Sequence, residues 1–144
     1  MKILGLLRAD ADSEAGAPPT PELISRMGTF MDEVTKAGIL LATDGLQPSS
    51  KGKRVRLADG KVNVIDGPFA ESKELIASYA LFQVNTMEEA VDWTRRFLEV
   101  LGSGEVELRP IFELTDFPSD VVPPHEAERE QAWRAEMERN AGRP

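Results

Sequence analysis

The order in which apolar runs recur constrains this chain more than any other feature. Lys2 to Arg8 is a short apolar run of strand character, closed by the polar, proline-bearing stretch Ala9 to Pro19, which reads as a loop. Leu23, Met27, Phe30, Met31 and Val34 then recur at helical spacing and give one apolar face. Ile39 to Ala42 is again strand-like and runs into a turn-rich exit, Thr43-Asp44-Gly45-Leu46-Gln47-Pro48. Arg54 to Leu57 and Lys61 to Ile65 flank Ala58-Asp59-Gly60, whose Asp-Gly pair readily takes the positive φ angles of a tight hairpin. Glu74 to Val84 carries bulk on both faces, as a central strand does. Ala90, Trp93, Phe97 and Leu101 share one helical face, and Glu105 to Phe112 alternates acid and apolar residues as a last strand.

Boundary chemistry agrees with this order. Thr20 is placed to cap the first helix, Pro21 suits its first position and Gly38 ends it. Thr86-Met87-Glu88-Glu89 fits a capping box, and Gly102 and Gly104 close the second helix. The order strand, helix, strand, hairpin, strand, helix, strand is the split βαβ plan of a ferredoxin-like α+β sandwich with an inserted β-hairpin. Two helices on one face of the sheet leave the other bare. If that face is apolar, a second copy is expected to cover it, closing the two sheets into a dimeric α+β barrel. Phe117 to Pro124 is a proline-rich bridge, and Glu126 to Asn140 is a charged helical segment whose clearest apolar pair is Trp133 and Met137. The expected division is therefore a ferredoxin-like domain over 1–117 and a bridge with a helical tail over 118–144, the tail being pinned to the body or to a partner through Trp133, with a disordered tail as the alternative.

Composition excludes several classes. With no cysteine among 144 residues there is no disulfide framework, thiolate metal site or cysteine nucleophile. One histidine leaves only carboxylates as metal ligands, without calcium-loop spacing, so no metal and no cofactor are expected. A formal charge of −8 disfavours nucleic acid and anionic lipid. Met1 to Asp12 meets acids too soon for a secretion signal, and no apolar segment approaches the roughly 20 residues that cross a bilayer. The expectation is a soluble, cytoplasmic protein. Lys51-Gly52-Lys53-Arg54 lacks the residues of a phosphate loop and reads as cations guarding a hairpin edge. No Gly-x-Ser-x-Gly elbow supports a serine nucleophile.

The candidate site centres on Val64-Ile65-Asp66-Gly67-Pro68-Phe69-Ala70-Glu71-Ser72-Lys73, where a strand stops and another soon begins. Glycine and proline nearly force a turn after Asp66. Structurally, the Asp66 carboxylate accepts amide hydrogen bonds from the residues just ahead and holds that turn. On the functional alternative, the same turn would aim Asp66 and Glu71, with Asp44 as a further candidate, into one cleft, where crowded carboxylates would raise each other's pKa and trade protons. Asp66 is the candidate catalytic residue; Asp44, Gln47, Glu71, Lys73, Tyr79 and Arg109 are candidate ligand contacts. Lys73 reads as a solvated lysine near a strand start or, alternatively, as a cation that neutralises the acids or receives an anionic group, and Tyr79, the one tyrosine, needs a partner for its hydroxyl if buried. For Arg109 the structural alternative is an ion pair, with Glu107 of the partner subunit as the acid. His125 reads as a surface residue near a helix start unless the tail carries it over a partner's pocket.

The passage from Gly45-Leu46-Gln47-Pro48 through the hairpin, Asp66-Gly67-Pro68-Phe69-Ala70-Glu71, Thr86-Met87-Glu88-Glu89-Ala90 and Val106-Glu107-Leu108-Arg109-Pro110-Ile111-Phe112-Glu113 resembles the YCII-related family, in the branch named for its Asp-Gly-Pro-Phe motif. The resemblance covers about residues 1–117. It implies a ferredoxin-like domain that dimerises with its sheets facing, leaving a small-molecule pocket at the sheet ends or interface. It also implies a runner-up role as a regulatory or interaction module beside a sigma factor of the extracytoplasmic-function type. Some members of the wider family pair a histidine of the first helix with an aspartate, but Glu22 to Lys36 contains no histidine, and Asp44 stands where relatives commonly have glutamate.

Overall fold

The computed structural model describes residues 1–70 and 74–144. Glu71 and Lys73, both candidate contacts, lie outside the described residues. The chain divides into two units, Met1–Ile111 and Phe112–Pro144. In order, the elements are β1 (Lys2–Arg8), α1 (Ala11–Glu14), α2 (Pro21–Lys36), β2 (Leu40–Gly45), β3 (Lys53–Ala58), β4 (Lys61–Asp66), β5 (Ile76–Gln83), α3 (Met87–Leu101), β6 (Val106–Pro110) and α4 (Pro124–Ala141). This is the mixed α+β architecture that the apolar pattern predicts.

The described residues form two sheets. The first has strand order β2-β5-β1-β6 with every neighbouring pair antiparallel, so each βαβ crossover is split by a strand from the other half. The second is the isolated ribbon β3-β4. Its turn places Asp59 at φ 52° and Gly60 at φ 73°, the left-handed pair that a two-residue hairpin needs to match strand twist.

The larger unit is held by one core. Ile3 of β1, Phe82 of β5, Phe30 and Val34 of α2, Ala90 of α3, and the flanking Ile39 and Val84 are buried together. The Phe30 ring stands edge-on to Trp93 at 6.2 Å between centroids and tilts against Phe97 at 6.0 Å, knitting α2 to α3. Arg96 of α3 adds an ion pair to Glu33 of α2. Burying an apolar side chain of this size stabilises by roughly 1.5–3 kcal/mol, so these few residues carry much of the unit's stability.

Local chemistry sets the ends of the helices. Thr20 accepts the amide of Leu23 at 3.1 Å, and Thr86 that of Glu89 at 3.2 Å. The second cap is not the reciprocal box expected, because the Glu89 carboxylate takes the amide of Asn85 at 2.9 Å and not that of Thr86. Gly102, at φ 89°, closes α3 in the left-handed conformation.

Three further expectations are corrected. Ala9 to Pro19 is not wholly loop: Asp10 and Ser13 cap each other's amides and hold the single turn of α1. Four residues are too few to show a helical period. The hydrogen bonds from Ser13 keep the Asp10 carboxyl below its usual value of 3.8. The second strand does not stop at Ala42 but runs to Gly45, because Asp44 and Gly45 pair with Tyr79 and Ser78 of β5. The last strand is shorter than its alternation, Val106–Pro110.

The smaller unit holds a 3-10 turn at Leu114–Asp116 and α4. Phe112 and Phe117 stack at 5.0 Å. Trp133 is 54% exposed, with the Arg129 guanidinium 5.2 Å above its ring, and ion pairs such as Arg134 with Glu130 run along the helix.

Candidate functional site

The Asp-Gly-Pro-Phe turn is a mechanical junction. Asp66 ends β4 opposite Lys53, the first residue of β3, and the two side chains form an ion pair across the base of the ribbon. The Asp66 side chain is 75% exposed and its carboxylate takes the lysine ammonium, where local amides were expected. Gly67 follows across a cis bond to Pro68 and donates its amide to Gly52 O at 3.1 Å. A Cβ on Gly67 would lie 1.8 Å from the carbonyl oxygen of Ser49, so only glycine lets the two backbones approach this closely. Phe69 donates its amide to Ser49 Oγ at 3.1 Å, and its ring lies 4.0 Å beneath the Arg54 guanidinium. Glu14 of α1 completes the junction, accepting the Ser49 amide at 3.0 Å and its hydroxyl at 2.5 Å. The motif thereby ties ribbon, turn and α1 together.

Asp44 and Tyr79 meet elsewhere. Directly opposed residues of an antiparallel sheet share a face. The register puts Asp44, Tyr79, Leu6 and Glu107 in one row across β2-β5-β1-β6, and Ala42, Leu81, Leu4 and Arg109 in the next. These rows face away from the core that α2 and α3 cover, whose strand residues, such as Ile3 and Phe82, alternate with them. The Tyr79 hydroxyl donates to Asp44 Oδ2 at 3.1 Å. That hydrogen bond, reinforced by the carboxylate's charge, raises the tyrosine pKa above 10.0. Tyr79 therefore stays a protonated donor, and among the described residues Asp44 Oδ1 accepts no hydrogen bond and remains open to an incoming donor.

At the opposite edge Glu107 is gripped from two sides, by Arg8 at 3.0 Å and by Arg109 at 3.3 Å. Arg109 thus pairs with the acid two residues before it in its own strand, because residues two apart on a strand project from the same face. Gln47 is exposed in the turn beyond β2. His125 sits 3.4 Å from Glu126 at the start of α4 in the smaller unit.

The structure therefore separates the sequence candidates. Asp44 and Tyr79 come together on the open face, with Arg109 on the same face at its far edge. Asp66 lies in the ribbon, in a different sheet. Arg8, Leu6, Ser49 and Glu14 were not singled out, since their roles depend on register and on contacts between residues as far as 99 positions apart. The alternation of Leu4 and Leu6 with Ile3, Gly5 and Leu7 was a signal that β1 has two distinct faces.

Fold and site define a ferredoxin-like α+β domain whose open sheet face has an apolar middle and charged edges. The chain belongs to the YCII-related domain family, which matches residues 1–115. It is also 34% identical over 77 residues to an uncharacterized protein of Rhizobium meliloti (strain 1021), a match covering 53% of this chain and 62% of that relative. The matched stretch thus spans about six-tenths of the relative's length. No helix among the described residues is long and apolar enough to cross a membrane.

Proposed function

We propose that the protein is a homodimeric small-molecule-binding member of the YCII-related family, in its Asp-Gly-Pro-Phe branch, with its ligand held on the open sheet face at Asp44 and Tyr79. The carrying observation is the 3.1 Å hydrogen bond from Tyr79 to Asp44, in one row with Leu6 and beside Leu4 and Leu81 of the next row. A second copy laid face to face would bury these leucines and shield Asp44 from water. Tyr79 orients the carboxylate, and Oδ1 accepts a hydroxyl, amide or ammonium of the ligand. A carboxylate so placed is also the better candidate for proton transfer. Asp66, the catalytic candidate from sequence, is 75% exposed and tied to Lys53, which favours a structural role for it.

Light scattering with a thermal-shift screen of polar metabolites tests this reading. A dimer is expected, with hits that survive Asp66→Asn and disappear in Asp44→Asn. A monomer at micromolar concentration, or hits indifferent to Asp44, overturns it.

A second reading has its own support. Val55, Leu57, Val62 and Val64 share one face of the ribbon by register and are 59–72% exposed. Four aliphatic side chains in water suit an interaction module, for which the resemblance points to a sigma factor of the extracytoplasmic-function type. Co-purification that is lost on Leu57→Ser and kept on Asp44→Asn would favour it.

A further inference from the structure

A cavity of about 70 Å³ lies between the helices and the sheet, and its origin is legible in β1 and β5. Gly5 and Ala80 are directly paired, and both point towards the helices, so the centre of the sheet offers almost no side-chain bulk there. Phe30 and Phe97 close the space from above, Phe82 and Val106 from below.

Thr94 of α3 lines the same cavity. It is 8% exposed, and its hydroxyl has no hydrogen-bond partner among the described residues. Helical threonines commonly donate to the carbonyl one turn back, as Thr29 does to Ser25 O at 3.3 Å in α2. Thr94 forgoes that bond. A buried hydroxyl without a partner is costly, and each such group calls for an explanation.

Water explains it poorly. The cavity has room for roughly five waters, each of which needs two to four polar partners. The Thr43 hydroxyl already donates to Tyr79 O at 2.8 Å, leaving the hydroxyls of Ser78 and Thr94 among mostly apolar walls. An apolar molecule carrying one polar group fits both the walls and the orphan. Access is short: a surface groove bordered by Leu23, Asp44 and Gly45 shares Leu7, Met31, Thr43, Ser78 and Phe97 with the cavity. Met31, unbranched and flexible, is suited to yield.

We propose that this space between α2, α3 and the sheet binds an uncharged, mainly apolar small molecule, of the size of a single aromatic ring, whose one hydrogen-bonding group meets Thr94. The cavity is floored by Gly5, Ala80 and Phe82, which alternate with the row carrying the Asp44–Tyr79 hydrogen bond; Tyr79 contributes to its lining and Asp44 borders the groove beside it, but the proposal does not depend on the function proposed for that pair.

Phenol and benzene are the probes, followed by methyl NMR and thermal shift on the full chain. Both are expected to bind saturably, moving the Val34 and Val106 methyls while leaving Val55 and Val64 of the ribbon unchanged. Phenol is expected to bind more tightly, and Thr94→Val, which keeps the shape and removes the hydroxyl, to lower the affinity for phenol about tenfold while leaving that for benzene in place. Ala80→Val, filling the cavity, should abolish both; if that variant does not fold, the methyl map and Thr94→Val decide alone. Absence of saturable binding, shifts centred on the ribbon, an unaltered phenol preference in Thr94→Val, or binding that persists in a folded Ala80→Val overturns the proposal.

Discussion

The four-stranded sheet and the two-stranded ribbon are built from the same kind of sequence, yet they are stabilised in opposite ways. The sheet is held from one side by α2 and α3, and its strand residue Ile3 is fully buried. No residue of the ribbon is buried, and its aliphatic face stands in water. A two-stranded hairpin alone is marginal, so this one depends on its base. That base is where the Asp-Gly-Pro-Phe turn closes on Ser49, with Lys53 facing Asp66 and Arg54 covering Phe69. Alternation of valine and leucine therefore signals a strand without saying whether anything will cover it. Burial comes from the crossover helices, and the ribbon, joined by a two-residue turn, has none.

Substitutions can break this contrast, starting with the largest effect. Ile3→Ala removes a fully buried side chain and should destabilise the larger unit by about 2–5 kcal/mol in urea denaturation. Gly67→Ala drives a methyl into the Ser49 carbonyl and should cost about 1–3 kcal/mol. Amide exchange should localise that loss to β3 and β4, whereas equal acceleration in β1 would deny that the ribbon has a separate anchor. Asp66→Asn cuts one exposed ion pair and should cost at most about 1 kcal/mol. Leu57→Ser, at a site 72% exposed, should stay within about 0.5 kcal/mol. A larger loss there would sharpen the comparison differently, by showing that a partner buries the ribbon face.

What could be read beforehand follows the reach of each interaction. Thr20, Pro21, Asp59-Gly60, Thr86 and Gly102 act on their own turn of chain, and they mark their elements correctly. Asp44 and Tyr79 were each recognisable as candidates. Their hydrogen bond was not, because it joins positions 35 apart and requires β2 to continue through Gly45 in a particular register against β5. Asp66 shows the converse. Its turn was legible from glycine and proline, but whether the carboxylate faced a cleft or a lysine depended on its cross-strand neighbour. The Glu14, Ser49 and Phe69 junction left still less trace, since it brings together three segments with no shared periodicity.

In the function we propose, the chemistry of the open face belongs to Asp44 and Tyr79, with Asp66 serving the fold. Tyr79 is the one tyrosine of the chain, so tyrosinate absorbance titrates it alone. Because the folded-state pKa is raised, the stabilisation from this hydrogen bond is complete below pH 10.0 and is lost as pH climbs through the raised value. The midpoint is expected above 10.0 in the native protein and in Asp66→Asn, and to fall back towards 10.0 in Asp44→Asn. A midpoint unmoved by Asp44→Asn, or lowered as much by Asp66→Asn, would contradict the account.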